Sequence, residues 1–412
     1  MFKQNLSDSS FYQLREGVFN LKKFISIIVT FALLFNSSLF VFAAEKTEAK
    51  TDELAPNTRS AVLIERDTGS VLYEKEKDEK YPPASMTKIM SMLLIMEALD
   101  KGQFNMKEKV RTSEYAASMG GSQIFLEPGE EMTVKQMLFG IAVGSANDAT
   151  VAMAEKIAGS EKSFVAKMND RVKSLGLKNT HFENCTGLPA DNHYSSAHDM
   201  AMMGKELLNH KEITNFTGTY ESYLRENSDE KFWLVNTNKL VRFYPGVDGL
   251  KTGFTQESKY CLTATAQKNG MRVIAVVFGA ENPKERNLQV SNMLDFAFNQ
   301  YTTKKLFKKG EELALVPISK GSQENVRLAP AEDISILAKK GEDLKQFKPK
   351  MVIDKNLLAP IEKSQPLGKI IIEKNGKTVS STNLVTKQMI PKASWFQLYK
   401  RSFAMFTKIS KN

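Results

Sequence analysis

From Ile89 to Ile95 the chain reads "IMSMLLI", apolar nearly all round. A helix of that composition has no face to offer water and belongs inside a core. At its head stands Lys88, three residues after Ser85 in "YPPASMTKIM". Charged side chains seldom enter such surroundings unpaired. Pro82-Pro83 break the chain just ahead, so the spacing predicts a helix that carries both Ser85 and Lys88. Residues three apart share a helix face, about 5–6 Å between Cβ atoms, and the two side chains can touch. A serine hydroxyl is a poor nucleophile until a neighbouring base takes its proton. Lysine serves as that base only when its neutral form is accessible, which burial and a second nearby cation both promote. The positive end of a helix adds stabilisation for charge developing at the serine. Ser85 is therefore a candidate nucleophile and Lys88 its base.

The 412 residues leave room for two or three domains, and 42% hydrophobic with 25% charged residues excludes disorder over most of the length. Near the start, Lys22-Lys23 precede a long apolar run that closes in Val41-Phe42-Ala43. A charged region, an apolar stretch and a small-residue cleavage site make a secretory signal over residues 1–43, followed by a polar tether over 44–57. The alternative is an uncleaved anchor over Phe24–Ala44, and either one exports the rest of the chain. The formal charge of +10 suits anionic membranes or wall polymers. No helix-turn-helix, zinc-finger or RNP pattern supports nucleic acid as a partner. The two cysteines, Cys185 and Cys261, read as small buried residues rather than a disulfide framework. The four histidines lack ligand spacing, so no metal or other cofactor is expected.

Along the exported part, "SAVLIERDTGSVLYEK" is a hairpin turning at Asp67-Thr68-Gly69. Thr133 to Gln136 is a capping-box start for the helix "VKQMLFGIAV", and "DATVAMAEKIAG" and "SSAHDMAMMGKELLNH" are further helices, the last capped at Ser196. "YCLTATAQKNGMRVIAVVFGA" is a second hairpin with Asn269-Gly270 in its turn, and "ERNLQVSNMLDFAFNQY" an amphipathic helix. This order predicts an α+β fold, with one antiparallel sheet built from both ends of residues 58–302 and helices between and against it. Short β-branched runs over 303–390 read as a small all-β domain. Over 391–412, Trp395, Leu398, Tyr399, Ser402, Phe403, Phe406 and Ile409 recur at helical spacing beside Lys400, Arg401 and Lys408. That is the pattern of an amphipathic helix lying on a membrane surface, the alternative being a helix docked on its own domain.

Two further short stretches join Ser85 and Lys88. "VGSANDAT" holds Ser145-Ala146-Asn147 between two apolar helices, and "GVDGLKTGFT" holds Lys251-Thr252-Gly253 just before a strand. Each is ordinary alone; the three in this order, each on the expected element, are not. "PASMTK", "SAN" and "KTG" resemble the active-site motifs of penicillin-recognising serine enzymes. The chain is most similar to the low-molecular-mass penicillin-binding proteins, the D-alanyl-D-alanine carboxypeptidases of the S11 family. The likeness extends to "FENCTGLPADNHYSSAHDMA" and to "YPGVDGLKTGFTQESKYCLTATAQKNGMRVIAVVFGA".

The resemblance implies that Ser85 attacks the carbonyl of the penultimate D-alanine of a peptidoglycan stem and releases the terminal D-alanine. Lys88 takes its proton, Ser145 relays a proton to the leaving amine, and Asn147 binds the substrate backbone. Lys251 holds positive charge that disfavours charge on Lys88 and, with Thr252, binds the substrate carboxylate. Gly253 lets the strand approach the substrate, and the N–H groups of Ser85 and Phe254 form an oxyanion hole. β-Lactams are implied as covalent inhibitors. Phe254 departs from the family, in which histidine often follows K-T-G. The rival readings are a D,D-endopeptidase, a class A β-lactamase and a non-catalytic wall-binding or β-lactam-sensing protein. A β-lactamase needs a carboxylate base, and the chain offers Glu183-Asn184 without an E-x-x-x-N pattern. Loss of catalysis predicts erosion of a motif, and all three motifs are intact.

Overall fold

The computed structural model describes residues 54–409, with side chains through Phe403. The expected signal and most of the tether lie outside them. Five strands form the main sheet: β1 (Ser60–Glu65), β2 (Val71–Lys75), β3 (Val247–Thr255), β4 (Lys259–Lys268) and β5 (Met271–Ala280). Their order is β2-β1-β5-β4-β3, antiparallel throughout. The first hairpin meets the last through β1 and β5, with Ala61 opposite Val277, so the sheet does join both ends of the segment. Asn269 and Gly270 turn β4 into β5 with φ of 50° and 81°, the two positive values a tight primed turn needs.

Side chains alternate faces along a strand, and β5 uses both faces. Val273, Ala275 and Val277 enter one core, whereas Ile274, Val276 and Phe278 enter another. Helix α6 (Pro283–Gln300) closes the first core with Val290, Met293, Leu294 and Ala297. The other face carries the helical part: α1 (Lys88–Asp100), α2 (Val134–Phe139), α3 (Asn147–Ala158), α4 (Glu161–Ser174) and α5 (Ala197–Leu207). Every residue of α1 from Lys88 to Met96 is buried, as its composition demands. The caps form as expected. Thr133 and Gln136 close a reciprocal capping box, and Ser196 accepts from Asp199 N–H at 3.2 Å.

Beyond α6 the strands are β6 (Tyr301–Phe307), β7 (Ala314–Pro317), β8 (Asn325–Pro330), β9 (Ile334–Lys339), β10 (Phe347–Ile353), β11 (Pro366–Lys374) and β12 (Lys377–Val385). Strands β6 and β9 pair, and the others form a sheet ordered β7-β8-β12-β11-β10 over their own apolar core. Helix α7 (Trp395–Ile409) follows. Both cysteines are free and buried.

Candidate active site

Ser85 does not lie in α1. It sits in a 3₁₀ turn, Ala84–Thr87, and α1 begins at Lys88. In a 3₁₀ turn residues three apart eclipse one another, so the expected contact survives the change of helix type. Lys88 Nζ lies 3.1 Å from Ser85 Oγ, 2.6 Å from Asn147 Oδ1 and 2.7 Å from the Thr186 carbonyl oxygen. An ammonium has three hydrogens to give, and these are three acceptors. Lys88 is fully buried, and burial lowers its pKa to about 7. Desolvation is the cause, and the nearby Cys185 and Asp148 push the other way.

A loop absent from the motif list builds the floor under this pair. Gly187, at φ +86°, packs so tightly that a Cβ would stand 1.9 Å from the Ala84 carbonyl oxygen. Asn184 Oδ1 accepts from the N–H groups of Thr186 and Gly187, and thereby aims the Thr186 carbonyl at Lys88. Ser91 donates to the Cys185 carbonyl at 2.6 Å. His193 completes the support. Its Nδ1 accepts from Glu183 N–H at 3.0 Å, which leaves the proton on Nε2 to donate to Thr87 Oγ1 at 2.8 Å. Burial lowers its pKa to about 4. Glu183 itself turns to His181 at 3.4 Å on a half-exposed surface, not toward Ser85.

Ser145 and Asn147 owe their placement to the end of α2. The helix widens into a π turn, Gly140–Gly144, and Ser145 ends it in the left-handed region at φ 63°. The side chain of Ser145 is buried and makes no hydrogen bond to another described residue. Asn147 gives its Oδ1 to Lys88 and donates from Nδ2 to the Gly120 carbonyl at 2.7 Å. Each end of its carboxamide makes one bond within the protein, so Asn147 fixes Lys88 and keeps a second acceptor and a second donor position. Buried Asp148 accepts from the N–H groups of Ile124 and Leu126 and ties the same loop down.

Strand β3 brings the third motif alongside. Gly253 has a different duty from the expected one. A Cβ there would stand 2.7 Å from the Pro83 carbonyl oxygen and 3.2 Å from the Ala84 Cβ. The missing side chain lets the strand approach the Ser85 turn. Lys251 is buried and, among the described residues, donates only to the Thr252 carbonyl at 3.2 Å. Burial holds its pKa well below the usual lysine value, and the charges of Lys88 and Arg286 push the same way. Thr252 Oγ1 donates to Thr237 Oγ1 at 2.7 Å. Phe254 is exposed and packs against Tyr260, ring centroids 4.4 Å apart with the planes tilted by 32°.

Arg286 escaped the sequence reading. It comes from the first turns of α6, only 5% exposed, and its guanidinium bonds to Asn287 Oδ1 and to no carboxylate among the described residues. Burial lowers its pKa to about 10. "NPKERN" carries no signal of this, because only the fold turns the arginine inward. Thr237 and the loop 184–187 also escaped as functional residues, although the loop lies within a segment singled out for its family likeness. The three motifs do converge. Lys88 touches Ser85 and Asn147 directly, and Gly253 packs on the turn that carries Ser85.

Comparison with known proteins agrees with this arrangement. Residues 45–282 match the peptidase S11 family described as D-alanyl-D-alanine carboxypeptidase, and residues 301–392 match the C-terminal domain of penicillin-binding protein 5. The chain is 57% identical to the D-alanyl-D-alanine carboxypeptidase DacF of Bacillus subtilis, over 94% of this chain and 100% of that one. A crystal structure of penicillin-binding protein 5 from Haemophilus influenzae superposes with a TM-score of 0.65 at 32% identity, covering 82% of this chain and 98% of that one. The ampicillin-bound penicillin-binding protein D2 of Listeria monocytogenes gives a TM-score of 0.53 at 28% identity, covering 59% and 98% respectively. The chain belongs to the peptidase S11 family of D-alanyl-D-alanine carboxypeptidases.

Proposed function

We propose that Ser85 and Lys88 carry out the family's D-alanyl-D-alanine carboxypeptidase reaction, with Ser145, Asn147, Lys251 and Thr252 completing the site. The observation that carries the assignment is the set of acceptors around Lys88 Nζ. A neutral amine keeps two hydrogens and one lone pair. Asn147 Oδ1 and the Thr186 carbonyl take the two hydrogens, so the lone pair faces Ser85 Oγ. The amine then accepts the serine proton as Oγ bonds to the penultimate D-alanine carbonyl. Collapse of the tetrahedral species breaks the amide, and the departing nitrogen takes a proton from Ser145, itself resupplied from the Lys88–Lys251 side. Water hydrolyses the ester with Lys88 again as base.

The N–H groups of Ser85 and Phe254 are assigned to the oxyanion, and losing one such donor costs about 2.7–4 kcal/mol of transition-state stabilisation. The substrate's terminal carboxylate suits Lys251, Thr252 and Arg286, since two buried basic groups with no acid partner among the described residues gain positive charge more readily when an anion arrives. β-Lactams acylate the same serine in this reading.

The chain works on the outer face of the cytoplasmic membrane in the same reading. Residues 1–43 deliver it, residues 58–302 hold the catalyst and residues 303–390 set it off from the surface. The helix over 391–412 lies in the interface. The support is the aromatic stripe of α7. Trp395 and Tyr399 stack at 5.5 Å and Tyr399 and Phe403 at 6.4 Å, and all three are exposed. Arg401, among them in sequence, instead donates to the carbonyls of Gly321 and Ser322 and anchors the helix to the β domain. No helix among the described residues is long and apolar enough to cross a membrane.

The test is mass spectrometry after incubation with penicillin. One adduct mapping to Ser85 is expected, and a Ser85→Ala protein that still labels would overturn the assignment. Release of D-alanine from a pentapeptide stem is expected as well, and cleavage of cross-linked dimers in its place would favour an endopeptidase.

A further inference from the structure

We propose that a basic cleft between the catalytic part and the β domain binds a linear, phosphate-bearing polyanion. The cleft has a volume of about 690 Å³. Its walls come from the turn after β1, the C-terminal end of α5, the β4–β5 turn, and the ends of β6 and β9. It is a separate place from the serine site. Gln267 lies six residues along β4 from Cys261, the partner of Gly253, which is about 20 Å of extended chain.

The charge of the cleft is unbalanced. Three of its cations are already matched: Arg66 with Asp67, Arg272 with Asp248, and Lys305 with Asp333. Four ammonium groups remain without an acid partner among the described residues, Lys205 and Lys211 from the catalytic part and Lys308 and Lys309 from the β domain. Glu332 is the one lining carboxylate outside those pairs. Arg66 adds a buried Nε with no hydrogen-bond acceptor. Like charges gathered in a concave, low-dielectric recess raise the local potential and concentrate counter-ions. The four ammoniums sit in pairs on the two parts of the chain. A linear polyanion engages both pairs at once, with the gain that linked contacts bring. A single anion serves one pair at a time, and a flat membrane does not follow a recess.

The experiment uses the full chain in detergent solution and a fluorescent poly(glycerol phosphate) oligomer, read by anisotropy at low salt. Lys308→Gln with Lys309→Gln, and separately Lys205→Gln with Lys211→Gln, should each weaken binding at least about tenfold, each lost contact being strongly salt-dependent. Lys162→Gln with Lys167→Gln on α4, the same charge change on exposed residues elsewhere, should alter binding less than about twofold. All these proteins should release D-alanine from a small pentapeptide at the unaltered rate. Equal weakening in the α4 control, or none in the cleft variants, would overturn the proposal. Full competition by inorganic phosphate would reduce the cleft to a single-anion pocket. Lysine-dependent binding to phosphatidylglycerol vesicles without binding to the oligomer would give it to a membrane. Either result counts against the polyanion.

Discussion

Gly187 and Ala84 meet backbone to backbone, leaving no space for a methyl group between the loop and the turn that carries Ser85. Both residues hold positive φ, 86° and 48°. Gly187→Ala therefore meets a clash and a strained conformation together, and should cost at least about 2 kcal/mol of stability. Penicillin labelling of Ser85 should fall further than the loss of folded protein explains. Thermal unfolding and adduct mass measure the two effects, and unchanged values in both would show that the loop can retreat freely.

The buried amine of Lys88 sets a pH dependence. Its folded pKa of about 7 lies below the ordinary value of 10.5, and in the proposed mechanism the neutral form is the base. Acylation should rise with pH, roughly tenfold per unit while the amine is mostly charged, and level off above about 7. Stability has the same sign. Between about 7 and 10.5 the unfolded chain binds the proton that the folded one has lost, so stability grows with pH across that window. Lys88→Arg keeps the charge but cannot release it, and should lose about 10²–10⁴-fold in acylation rate.

His193 should make the fold acid-sensitive. Its folded pKa of about 4 lies below the ordinary 6.5, again through burial. Below 6.5 the unfolded chain takes up the proton first, so stability declines as pH falls and stops declining near 4. The total is on the order of 3 kcal/mol. Unfolding in denaturant at stepped pH should show this slope, and His193→Gln should flatten it. A variant as acid-sensitive as the parent would place the titration elsewhere.

For α7, replacing Trp395, Tyr399 and Phe403 by serine should move the exported protein from the membrane to the soluble fraction. The catalytic rate on a small pentapeptide should stay the same. Fractionation that does not change would assign the aromatic stripe to another surface.

The antiparallel sheet, the buried helix and the three motifs were legible because each is written locally. Period-two strands, an Asn-Gly turn, two caps and an apolar run with one lysine need no distant partner to be read. What escaped depends on tertiary placement. The sequence offered Ser85 as a helical residue, because Pro83 and the apolar run do not register that the first turn tightens to 3₁₀. Gly253 was read as making space for a substrate, and the space it makes is taken by Pro83 and Ala84. The bonds of Asn147 to Lys88 and Gly120, which hold the lysine in place, needed the fold to be seen. Arg286 looked like any helical surface arginine until α6 packed across the sheet.

Ser85 and Lys88 are neighbours in one segment, but the carboxamide of Asn147 that holds Lys88 and the Gly253 strand that packs on the Ser85 turn are gathered only by the finished tertiary structure. A half-assembled molecule cannot form an antibiotic adduct. Radiolabelled or fluorescent penicillin thus doubles as a census of correctly matured copies, able to follow maturation after export and to score damaging substitutions anywhere in the domain without purification.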